Sequence, residues 1–197
     1  MGNGASTQWS AAERERCRLV FQLAKKIVTD GVGEAQAAHG FTVILAASAA
    51  LFETKPNGRP KLGEFMRPDL FDYREKALHL TDANAYATLC NLAREDGAIV
   101  VEWSTGQILG GNYSIVDLSE AQHDMKGGTR HRSASSFAQI TGGFVIVASE
   151  AECKKLTSAE YVTVFYGNNV PKEESLQEQA RGGASRLSLF LARVSVS

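Results

Sequence analysis

At 197 residues and 21.2 kDa the chain suits one domain with a sizeable core. A net charge of -1 excludes a general pull toward nucleic acid or an anionic membrane, so any cationic site has to be local. Cys17, Cys90 and Cys153 are far apart and form no CxxC pair, which excludes a disulfide framework and a zinc finger and suits a reducing cytoplasm.

No apolar run approaches the roughly 20 residues a membrane span needs, and Met1 to Ser10 is polar rather than signal-like. A cytoplasmic protein without a membrane partner is therefore expected. Residues 1–9 read as a flexible leader and 10–197 as the domain. Met1-Gly2-Asn3-Gly4-Ala5-Ser6 fits the loose N-myristoylation pattern, but a polar leader accounts for it more simply.

Ser10 to about Ala38 predicts a helix. Ser10 with Glu13 makes a capping box, and Cys17, Val20, Phe21, Ala24, Ile27 and Val28 form one apolar face. Asp30-Gly31-Val32-Gly33 breaks it; no strand precedes Gly31 and Gly33, which argues against a dinucleotide loop. Phe41 to Ala46 is an apolar, branched run that suits a buried strand. Lys55 to Pro60 is a turn, and Phe65 to Leu80, interrupted by Pro68, has no clear pattern.

Asp82 is a candidate cap for a helix from Ala83 to Arg94. Ile99 to Trp103 and Gln107 to Gly110 predict a hairpin about Ser104-Thr105-Gly106, and Asn112 to Lys126 reads mostly as loop. Ala134, Phe137, Ala138 and Ile140 mark another helix, stopped by Gly142-Gly143. Phe144 to Ala148 and Tyr161 to Tyr166 are strands; residues 168–197 form a tail. The alternation predicts an α/β (α+β) fold: a mixed twisted β-sheet flanked by helices on both faces, in a single domain.

Chemistry concentrates at Lys126-Gly127-Gly128-Thr129-Arg130-His131-Arg132-Ser133-Ala134. The glycines allow close backbone approach, and Thr129 can cap the following helix. Cations crowded at a helix N-terminus conflict with its dipole unless an anion is bound, and arginine grips phosphate oxygens in pairs. A solvated basic helix start remains the alternative. Asp96-Gly97-Ala98, read alone, is either a turn or a carboxylate for a hard cation.

Asp96-Gly97-Ala98, Gly128-Thr129-Arg130-His131-Arg132-Ser133-Ala134 and Val147-Ala148-Ser149-Glu150 together resemble the diadenylate cyclase domain, over roughly Phe41 to Gly167. That family includes the N-terminal catalytic domain of the bacterial DNA-integrity scanning protein. Ser133 stands where alanine or threonine is commoner, and Cys153 to Glu160 lengthens a connection.

The resemblance implies condensation of two ATP into cyclic di-AMP and two pyrophosphates, with Mg²⁺ or Mn²⁺, between two copies facing each other. It implies Asp96, Arg130, His131 and Arg132 as catalytic residues, with Asp96 on the metal. Gly97, Ala98, Ile115, Gly128, Thr129, Ser149 and Glu150 would complete the nucleotide site with the Arg-His-Arg run. Ile115, or nearby Tyr113, would pack on the adenine. Not all of the Arg-His-Arg side chains can face one ligand, so one is expected to turn to the protein interior or the partner copy. His39, His79 and His123 have no partners at metal spacing. A related nucleotidyltransferase with another substrate, or a nucleotide sensor without turnover, are the alternatives; nucleic acid is not an expected partner.

Overall fold

The computed structural model describes residues 10–31, 40–58, 62–116, 129–148 and 162–166. The leader, Gly33, His39, His123, Gly128, Ser149, Glu150, Cys153 and the 168–197 tail lie outside the described residues.

Helix α1 spans Ala11–Gly31. Its capping box is formed: the Ser10 amide donates to Glu13 at 2.6 Å, and the Glu13 amide donates to the Ser10 hydroxyl at 3.2 Å. Cys17, Val20, Ala24, Ile27 and Val28 are buried, as the three-four spacing requires, while Phe21 is half-buried. The indole N–H of Trp103 donates to Glu13, and Arg16 donates to the Trp103 carbonyl at 3.1 Å. The start of α1 is thus tied to the turn after a central strand.

Strand β1 is Phe41–Ala46, buried at every position. Next come the short helix α2, Ser48–Leu51, strand β2, Gly63–Phe65, the short helix α3, Pro68–Phe71, and a 3₁₀ turn, Arg74–Lys76. Helix α4, Ala85–Leu92, is shorter than its sequence expectation. Asp82 does not cap it: its carboxylate accepts the His79 amide at 2.7 Å, and its carbonyl accepts the Ala85 amide at 3.0 Å, closing a turn. The remaining elements are β3, Ala98–Glu102; β4, Ile108–Ile115; α5, Thr129–Thr141; β5, Phe144–Ala148; and β6, Val162–Tyr166.

The six strands form one mixed sheet in the order β2-β4-β3-β1-β5-β6. β1 and β3 run parallel, and the other neighbours are antiparallel. Side chains alternate across the sheet. Val43, Leu45, Ile99, Val101, Phe144 and Ile146 pack with α1 and α4. Ile44, Val100, Val145 and Val147 pack with Leu51 of α2 and with Ala134, Phe137 and Ala138 of α5. Helices therefore cover both faces, as the element order predicts.

Strand β4 corrects the loop expected from Asn112 onward. Gly110, Gly111 and Asn112 have low strand propensity, yet Gly110 pairs with Val100 of β3, and Tyr113 to Ile115 beyond them pair with β2. The register shifts between the pairs Ala98/Tyr113 and Val100/Gly110, the mark of a bulge. Among the described residues, no helix is long and apolar enough to cross a membrane.

Candidate nucleotide site

Register places the functional segments at one end of the sheet. Thr42 pairs with Ala98, Ala98 with Tyr113, Phe41 with Ala148, and Ala148 with Val162. The Asp96-Gly97 turn before β3, the ends of β4 and β5 and the start of β6 therefore share an edge. The first turn of α5 reaches the same edge: Arg130 Nη2 lies 3.5 Å from Asp96 Oδ1, and His131 Nε2 lies 3.2 Å from the Thr163 hydroxyl.

Asp96 is open, with 84% of its side chain exposed, and Arg130 is partly covered at 39%. An exposed pair of this kind contributes at most about 1 kcal/mol to stability. Asp96 Oδ1 also accepts the Gly97 amide at 2.9 Å. The neighbouring Glu95 is held elsewhere, paired to Arg67 at 2.5 Å.

Gly97 is required by the turn. Its φ is +92°, a region L side chains rarely adopt. A Cβ there would stand 2.9 Å from the Asn112 carbonyl carbon and from the Tyr113 carbonyl oxygen. Ala98 is buried as the first residue of β3. The close approach of the turn to β4 thus fixes where Asp96 leaves the sheet.

Thr129 is the first residue of α5, so position 128, the capping place, lies outside the described residues. Thr129 and Arg132 are exposed and Arg130 is half-buried on the opening turn. His131 faces the other way: its ring meets Phe165 edge-on at 6.1 Å and bonds Thr163. It is the member of the Arg-His-Arg run that turns toward the protein. Tyr113 is fully buried and its hydroxyl donates to the Leu51 carbonyl, with burial pushing its pKa up. Ile115 is half-buried at the end of β4. Ser149 and Glu150 follow the last described residue of β5.

A hard divalent cation takes oxygen ligands, and Mg²⁺ is commonly held by one or two carboxylates with phosphates and waters completing the shell. Asp96 supplies one open carboxylate, and among the described residues no group of three or more His, Cys, Asp or Glu side chains gathers. This donor set fits a cation shared with a bound nucleotide better than a cage made by protein alone.

One residue at this edge escapes a reading of the sequence. Asn112 is buried, has a φ of +58° and donates through Nδ2 to the Asp96 carbonyl at 2.9 Å. An Asn directly after two glycines is the signal that could have found it, since Asn tolerates the left-handed region better than most residues.

Among curated proteins none matches the chain. Similar solved structures include a hypothetical membrane spanning protein from Bacillus cereus, at 17% identity and a TM-score of 0.44, covering 73% of this chain and 59% of that one. A double mutant of DacA from Staphylococcus aureus matches at 17% identity and a TM-score of 0.41, covering 80% of this chain and 85% of its own. The chain thus spans 59% of the length of the first of these. Residues 33–160 match the family described as DAC, the DisA bacterial checkpoint controller nucleotide-binding domain. That match takes in the Asp96-Gly97 turn, the Arg-His-Arg turn and the strand that precedes Ser149, and with it the chain belongs to the diadenylate cyclase (DAC) domain family.

Proposed function

We propose that the chain is a diadenylate cyclase that joins two ATP molecules into cyclic di-AMP and releases two pyrophosphates. The observation that supports this most is the 3.5 Å approach of Arg130 to Asp96 at the shared sheet edge, within the family match. A carboxylate for the reacting hydroxyl and a cation for the phosphates are needed within one nucleotide's length of each other.

In this reading Arg130 and Arg132 hold the triphosphate and offset the charge that builds on the departing pyrophosphate. Thr129 and Gly128 add hydroxyl and backbone contacts at the helix start, where a phosphate relieves the crowding of cations. Gly97 and Ala98 offer backbone contacts to the ribose and base, and Ile115 packs on the adenine. Ser149 and Glu150 contact phosphate from the end of β5. His131 holds the opening turn of α5 to β6 through Thr163, which aims its arginine neighbours.

Each 3′-oxygen forms a bond to the α-phosphorus of the other nucleotide, and the bond from that phosphorus to the pyrophosphate oxygen breaks. Asp96 accepts the hydroxyl proton. Asp96 would hold a Mg²⁺ or Mn²⁺ ion, which would supply charge neutralisation and make the hydroxyl more acidic. One site holds one nucleotide, so a second copy has to present the other; the active species is a face-to-face dimer.

The test is incubation of the folded protein with ATP and Mn²⁺ or Mg²⁺, with GTP in parallel, followed by chromatography for cyclic di-AMP. Product from ATP is expected. Binding of ATP without product under either metal would overturn the cyclase in favour of a sensor.

A further inference from the structure

We propose that Asn112 is a positioning residue for Asp96, holding its carboxylate toward Arg130 and toward a nucleotide-bound cation. The proposal rests on the role assigned to Asp96 above.

Asn112 sits in the irregular stretch of β4 opposite the Asp96-Gly97 turn, between the pairs Ala98/Tyr113 and Val100/Gly110. Its backbone is left-handed at +58°, a conformation with a cost for any residue bearing a Cβ. Its side chain is 4% exposed. Nδ2 donates to the Asp96 carbonyl at 2.9 Å, while Oδ1 is enclosed with no hydrogen-bond partner among the described residues. A buried polar atom left unmet is unfavourable. The amide is therefore kept for its donor: an apolar side chain would avoid the orphaned oxygen but could not grip the carbonyl.

The consequence reaches the carboxylate through two bonds in series. Nδ2 fixes the carbonyl of Asp96 and so the orientation of the peptide joining it to Gly97. That same peptide carries the Gly97 N–H, which donates back to Asp96 Oδ1 at 2.9 Å. Oδ1 is the oxygen that faces Arg130. Meanwhile the Asn112 carbonyl accepts the Met66 amide at 3.0 Å, anchoring the residue to the chain beyond β2. The exposed carboxylate, with little packing of its own, is thus oriented from a buried amide.

Two variants separate this from a folding role. Asn112→Gly accepts the backbone angle but removes the amide. Asn112→Asp keeps the shape but puts an oxygen where the donor was. Mn²⁺ binding with a non-hydrolysable ATP analogue is read by electron paramagnetic resonance, alongside turnover and thermal melting. Both variants are expected to bind Mn²⁺ about 10- to 100-fold more weakly, the usual loss when a group supporting a metal ligand is removed. kcat should fall while KM for ATP changes little, and Asn112→Gly should melt close to the unsubstituted protein.

Unchanged Mn²⁺ affinity in both variants overturns the proposal. So does a loss of Mn²⁺ affinity matched by loss of cooperative melting in both, which would make Asn112 a folding residue. Asp96→Asn serves as the control: if it leaves Mn²⁺ binding intact, the role of Asp96 fails, whatever Asn112 does.

Discussion

The carboxylate of Asp96 and the guanidinium of Arg130 meet at 3.5 Å across the gap between the sheet edge and the first turn of α5. Asp96 is open to solvent and Arg130 partly so, and separating them should hardly change stability. Arg130→Ala is expected to shift the melting temperature little and to weaken ATP-analogue binding about 10- to 100-fold, the value of one or two charge-assisted bonds. Calorimetric titration beside a thermal melt reads both; undiminished nucleotide affinity would remove Arg130 from the site.

Gly97→Ala should behave in the opposite way. The side chain meets backbone rather than a movable side chain, at a φ of +92°. Strain of about 1–3 kcal/mol is expected from the backbone angle alone, with the clash added. The urea midpoint should fall, and turnover should fall further than stability, because Asp96 moves with the turn. An unchanged midpoint would show that the turn can relax.

At the far end of the sheet Glu102 is expected to confer a pH-dependent stability. Burial pushes its carboxyl up, but donors outweigh this and leave its pKa below the ordinary 4.5. They are the Ser48 amide at 2.6 Å, the Ser48 hydroxyl, and the Ser104 amide and hydroxyl at 3.2 and 3.0 Å. A depressed folded pKa contributes stability above the unfolded value, lost as pH falls through the folded one. Glu102→Gln should therefore cost about 1–3 kcal/mol at neutral pH. That gap should close as pH drops below about 4.5, measured by denaturant midpoints across a pH series. A gap independent of pH would mean that charge is not what the serines hold.

The strands most easily foreseen are those buried on both faces, because burial there forces an unbroken apolar run. Phe41–Ala46 and Phe144–Ala148 match their expected bounds. Cys17, Val20 and Ala24 likewise announce α1, since only one face of it is covered. Gly63–Phe65 is too short to carry a period, and Asn112 to Ile115 has a composition that reads as loop. Pairing across the sheet, invisible to local pattern, decides both.

The site divides the same way. Asp96 and Arg130 are singled out by the family motifs rather than by local pattern, and the structure brings them within 3.5 Å of each other. Asn112 is not, because its contribution depends on a bulge that the sequence does not announce. The Arg-His-Arg run shows its residue types but not their directions; helix geometry turns His131 to Thr163 while Arg130 meets Asp96.

The central place of β1 governs how the molecule can assemble. Thr42 has Ala98 on one side and Val147 on the other, so neither neighbour is close in sequence. Pairings this distant slow folding. A ribosome must release the chain beyond Ala148 before this strand is flanked on both edges. Until then the edge of β1 that β5 takes stays unpaired.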